Sequence, residues 1–233
     1  MLFDLKGKRR RAVQGTYLTL AILMGAGLVL FGIGSSTSGG LGDLFNGGNG
    51  SNKGNQIVQN RINAAEKTLA VQPKNAAALG ILIRSYYQLA TTNADQVGNF
   101  LPKAAPDLQR TTQAWQRYYG TTSKPDTGLA QVAVQAYSGL AALVKDATVK
   151  QNYFKGAVQA YQVVTAAQPN VQSYVNLVQL ATAAGETDIA TKAGNKAIAI
   201  APASQKKTVK QAVTQAKAPQ QTQPQPVNTG QSP

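Results

Sequence analysis

Residues 157–169 read AVQAYQVVTAAQP and residues 190–202 read ATKAGNKAIAIAP. In each stretch an alanine (Ala157, Ala190) is followed four residues on by Tyr161 or Gly194, and twelve residues on by Pro169 or Pro202. Both landmarks are therefore offset by 33 residues. Residues four apart share one side of an α-helix. A small side chain there lets a neighbouring helix come close, and a proline ends the helix because it lacks the N–H that the next turn needs. A recurrence at this distance is the mark of stacked helix pairs.

Helical spacing extends outward from these stretches through residues 56–217. Val58, Ile62, Ala65 and Leu69 recur at i, i+4, i+7 and i+11, giving one apolar stripe on a helix that starts after Asn55. Gln72-Pro73-Lys74-Asn75 stops it, and Asn75 is placed to cap the next helix, over 76–92. That helix is apolar at Leu79, Leu82, Ile83, Tyr86 and Leu89. Pro106-Asp107 opens a helix through Tyr119, closed by Gly120 and Pro125. Further helices are expected over 126–145, 149–167, 171–184, 188–199 and 203–216. β-Branched alternation is scarce, so the predicted fold class is all-α. Trp115, on the helix with Tyr118 and Tyr119, reads as core.

Leu79-x2-Leu82-Ile83-x2-Tyr86 and Tyr174-x2-Leu177-Val178-x2-Ala181 are similar to W-x2-L-G-x2-Y of the tetratricopeptide repeat, and Ala133-Val134-x2-Tyr137 is a weaker version. The chain resembles that family over about 56–217, in three degenerate units. The last unit matches best, with Gly185 at its turn. The stretch from Tyr86 to Tyr119 is irregular, and the middle unit carries about ten extra residues, read as lying between its helices. The last helix, with Lys206, Lys207 and Lys210, would be the polar cap that a solenoid end requires. The resemblance implies an antiparallel helix-pair solenoid whose first helices line a groove for an extended or helical peptide. The residues it places there are Arg84, Tyr87, Gln88, Gln131, Gln135, Gln172 and Gln179. Glutamine pairs with both backbone C=O and N–H groups, which suits sequence-tolerant capture; the alternative is that these are exposed helix formers.

Ahead of the helices, residues 1–11 carry Lys6, Lys8, Arg9, Arg10 and Arg11, and residues 12–34 (AVQGTYLTLAILMGAGLVLFGIG) carry no charge. A helix of that length spans roughly 34 Å, against a hydrocarbon core of about 30 Å. The cations put the N-terminus in the cytoplasm and the rest outside it, in a single-pass protein of a cell membrane. A cleaved signal peptide is the alternative, although Gly32-Ile33-Gly34 is a poor cleavage site and the apolar run is long for one. Residues 35–55 hold seven glycines in 21 positions and read as a flexible linker reaching roughly 25 Å. Residues 218–233, rich in Pro and Gln, are expected to be disordered.

The chain has 233 residues and neither cysteine nor histidine, which excludes disulfides, thiolate chemistry and every His-based triad. Nine acids offer little for acid–base or metal chemistry, so neither an enzyme nor a bound cofactor or metal is expected. Of the 23 Lys and Arg and nine acids, five cations and one acid lie in residues 1–11, leaving a net charge of +10 on the remainder. Such a balance attracts anionic lipid or wall polymer; nucleic acid is disfavoured by the topology and by the scatter of the cations. The expected function is a membrane-tethered protein–protein interaction module, a scaffold, assembly factor or holdase-like accessory of a bacterial-type envelope, with a protein or peptide client. The alternative is a basic structural envelope protein that binds anionic wall polymer or lipid headgroups.

Overall fold

The computed structural model describes residues 51–218. The span expected at 12–34, the linker up to residue 50 and the tail from residue 219 lie outside the described residues. Among the described residues no helix is long and apolar enough to cross a membrane.

Eight α-helices and two short 3-10 turns make up the described residues, with no strand among them. The helices are α1 (Ser51–Val71), α2 (Ala76–Thr91), α3 (Ala105–Tyr119), α4 (Thr127–Leu143), α5 (Ala147–Ala167), α6 (Val171–Ala183), α7 (Thr187–Ile200) and α8 (Lys206–Lys217). All but the first start within about three residues of where spacing and caps place them. α1 begins at Ser51, so the last five residues read as linker are helical.

Short polar side chains set the starts. Asn75 accepts from the Ala78 N–H at 3.0 Å, Asp126 from Leu129 at 2.8 Å and Asp146 from Val149 at 2.8 Å. Each satisfies a donor that the first helical turn leaves unpaired. Asn170 and Ser173 form a reciprocal capping box on α6. Its other end closes at Gly185, which adopts φ +72. There Glu186 N–H donates to Ala181 O at 2.8 Å and Gly185 N–H to Thr182 O at 3.0 Å, a closure that needs a left-handed residue.

Helices pair in chain order: α2 with α3, α4 with α5, α6 with α7, and α8 closes on α6 and α7. Three-residue connections between α4 and α5, α5 and α6, and α6 and α7 force antiparallel neighbours. One continuous apolar core runs from Val58 of α1 to Ala216 of α8, with Trp115 fully buried in it. A smaller cluster of Ala90, Ala104, Leu108, Ala136 and Leu140 lies beside it.

The extra residues of the middle pair are not between its helices. They lengthen the helices themselves: α4 and α5 have 17 and 21 residues, against 13 and 14 in α6 and α7. The long connection is in the first pair instead, at residues 92–104. Apolar periodicity alone does not say where a helix stops, and here the caps at Asp126 and Asp146 decide it.

Candidate partner-binding face

Arg84, Tyr87 and Gln88 lie on α2, Gln131 and Gln135 on α4, and Gln172 and Gln179 on α6. The first two sets meet, because α2 packs directly on α4. The Tyr87 hydroxyl donates to Gln135 Oε1 at 2.6 Å, so Gln135 is committed to holding these helices together. Burial pushes the Tyr87 phenol up to about 12, which keeps it protonated as a donor. Helix α6 packs on α5, α7 and α8. Of its two glutamines, Gln172 donates to Asn176 in its own helix at 2.7 Å and Gln179 is exposed.

Arg84 approaches Asp126 at 3.8 Å, with both side chains about half exposed. Water screens such a pair and it contributes little to stability. Gln88 is different. Its side-chain Oε1 is buried and has no hydrogen-bond partner. A buried amide oxygen costs free energy until a donor reaches it.

Residues 92–104 add an element that spacing did not predict. Asp95 accepts from the N–H groups of Val97 and Asn99 at 3.0 and 2.8 Å, Gly98 turns at φ +89, and a single bridge joins Ala94 to Phe100. This small hairpin sets Phe100 edge-on to Tyr87, ring centroids 5.9 Å apart, and against Gly139 of α4. A Cβ at Gly139 would lie 2.7 Å from the Phe100 ring. Phe100 thus covers the C-terminal part of the α2–α4 face. The only sequence signal for it was connection length, since a connection of this size in a compact domain is uncommon without a role.

Tyrosine–polar pairs also tie the other joints. Tyr86 donates to Glu66 of α1 at 2.6 Å, Gln116 of α3 donates to the Tyr137 hydroxyl at 2.6 Å, and Asn176 of α6 donates to that of Tyr161 at 3.0 Å. Spacing marked Tyr86, Tyr137 and Tyr161 as pattern positions; their hydroxyl partners sit on other helices, out of reach of a one-dimensional pattern.

Charge is sorted between helices. Helices α2, α4 and α6 carry one charged residue among them, Arg84. The remaining cations of the described residues lie on α1, α3, α5, α7, α8 and the connections. Most acids serve helix starts: Asp126 and Asp146 as caps, and Asp107 and Asp188 in first turns. Burial raises the Asp107 carboxyl, and Arg110 beside it opposes the shift. Among the described residues no three acids come together to hold a metal ion.

Among the described residues, clefts flank the helices. One of about 350 Å³ lies between α1, α2 and α3, with Glu66, Tyr86, Arg110 and Arg117 in its walls. A more open one of about 700 Å³ lies between Tyr119, the residues 122–125 that follow α3, and the end of α5. No family model matches the chain, and neither a curated protein nor a solved structure matches it.

Proposed function

We propose that this protein is a membrane-tethered interaction module, in which a tetratricopeptide-like array of three helix pairs holds a segment of a protein client. The groove would run across α2, α4 and α6, with α1 and α8 closing the ends of the array. The observation that carries the reading is the buried, unpartnered Gln88 Oε1 on a face with one charge. The oxygen is enclosed in the unbound chain, so the Gln88 side chain would turn outward for a client N–H to satisfy it, while neutral amides such as Gln131 and Gln179 bind main chain without regard to sequence. The anchor at 12–34 would raise the client's effective concentration at the membrane. The scaffold, assembly-factor or holdase role and the extracytoplasmic location belong to this same proposal.

Photocrosslinking in cells tests it, with the reactive group at Gln131 or Gln179 and, as a control, at Lys150 on α5. One discrete protein captured from the first two sites but not from Lys150, and lost on Gln88→Arg, is the expected result. Equal capture from all three sites, or none from the first two, would overturn the groove. The second reading, a basic structural protein that binds anionic lipid or polymer, is favoured by the gathering of cations away from α2, α4 and α6.

A further inference from the structure

Residues 189–218 contain six lysines and no acid. Four of the lysines flank the turn between α7 and α8: Lys196 on α7, and Lys206, Lys207 and Lys210 in the first two turns of α8. All four are exposed. α8 buries Val209, Val213 and Ala216, which leaves these lysines on its solvent side.

Lys196 Nζ lies over the Tyr174 ring, 5.8 Å from its centroid, whereas Lys206, Lys207 and Lys210 form no ion pair within the described residues. Lys206 and Lys207 open α8, where the helix dipole disfavours positive charge. The first turn has no acid, and the N-cap residue Gln205 makes no capping hydrogen bond. The backbone N–H groups of Gln205 and Lys206 both donate to Pro202 O, at 2.8 and 3.1 Å, so the turn before α8 takes up its first donors and the lysine side chains remain free. In the same corner stands an exposed apolar side chain, Ile200, one turn after Lys196 and 47% accessible, followed by exposed Pro202. Cations around an exposed aliphatic residue suit a surface that is anionic outside and apolar beneath. A hydrophilic polyanion would use the lysines and gain nothing from Ile200.

We propose that the α7–α8 corner docks on the anionic headgroups of a lipid bilayer, with Lys196, Lys206, Lys207 and Lys210 on the phosphates and Ile200 at the acyl boundary. This gives the second reading a place on the molecule and is independent of the groove. The full chain has no cysteine, so Gln211→Cys on α8 accepts a single fluorophore. The labelled chain is reconstituted into vesicles of phosphatidylcholine, with or without 30 mol% phosphatidylglycerol, that carry a headgroup energy-transfer acceptor. Transfer is expected to rise with phosphatidylglycerol, and that rise is expected to vanish in 0.5 M salt. Replacing Lys206, Lys207 and Lys210 by Gln should weaken the response to phosphatidylglycerol at least tenfold. Ile200→Gln should weaken it severalfold. Each variant is checked for an unchanged melting temperature, which its exposed position predicts. Equal transfer in both lipids, or an undiminished response in the triple-lysine variant, would overturn the proposal. So would an undiminished response in Ile200→Gln together with displacement by soluble poly(glycerol phosphate), which would assign the corner to a polymer.

Discussion

Gly156 of α5 lies directly against the ring of Tyr137 on α4, and adding one methyl group there tests how tightly this pair is packed. A Cβ at position 156 would stand 2.5 Å from both Cε1 and Cζ of Tyr137. Carbon atoms rest at about 3.5–4 Å, so the ring would have to retreat by roughly 1 Å. It has little room, since Tyr137 is 7% exposed and Gln116 holds its hydroxyl at 2.6 Å. Overpacking of this kind costs about 1–3 kcal/mol, and loss of the hydroxyl bond about 1 kcal/mol more. The better helix propensity of alanine offsets about 1 kcal/mol. Gly156→Ala should therefore destabilise by about 1–3 kcal/mol, which lowers Tm by roughly 3–10 °C in a domain of this size. Melting of the full chain in mild detergent, followed by circular dichroism at 222 nm, reads the shift. Gly54→Ala is the control: nothing lies within 4 Å of its added Cβ, and it should melt at or slightly above the parent temperature. A Gly156→Ala protein that melts within about 1 °C of the parent would refute the packing argument.

Tyr87→Phe removes the donor to Gln135 and should cost about 1 kcal/mol by urea titration. Gln135→Leu made in the Tyr87→Phe background should then cost little more than Tyr87→Phe alone, and full additivity would show that the two side chains do not interact. High pH supplies the third prediction. Burial raises the phenols of Tyr86 and Tyr87 to about 12 from an ordinary value of 10.0, and also raises those of Tyr137 and Tyr161. The folded chain thus holds these protons more tightly than the unfolded one. The stability this gives is whole below pH 10 and is lost as pH climbs from 10 through 12. In the absorbance difference at 295 nm between the parent and Tyr87→Phe, phenolate should appear only as helicity is lost. A Tyr87 signal that titrates near pH 10 with the helices intact would contradict its burial.

Most helices were legible because apolar spacing and, at α2, α4, α5 and α6, a polar cap mark them, whereas the start of α1 at Ser51 carried no such mark. The stripe Val58, Ile62, Ala65 and Leu69 is buried on α1 as a period of 3.6 requires, and Asn75 caps α2 where its position before an apolar run placed it. The face of α2, α4 and α6 was legible only in part. Arg84, Gln88 and Gln131 are polar positions on the right helices, yet their sequence did not reveal that Gln135 is spoken for by Tyr87 or that Phe100 closes over Gly139. Those facts depend on contacts between residues 39–48 positions apart, and no local pattern encodes them.

Residue order by itself determined the all-helical character of residues 56–217, the buried stripes, the polar caps and a strongly basic balance without cysteine or histidine. These are local or additive properties: periodicity, capping chemistry and charge can be read one helix at a time. Tertiary structure alone decided that tyrosine hydroxyls tie the joints between pairs and that Phe100 closes over Gly139. Each of these requires knowing which parts of the chain face one another. Packing sets that relation through close approaches such as Gly156 on Tyr137, where one methyl group is the difference between fit and clash.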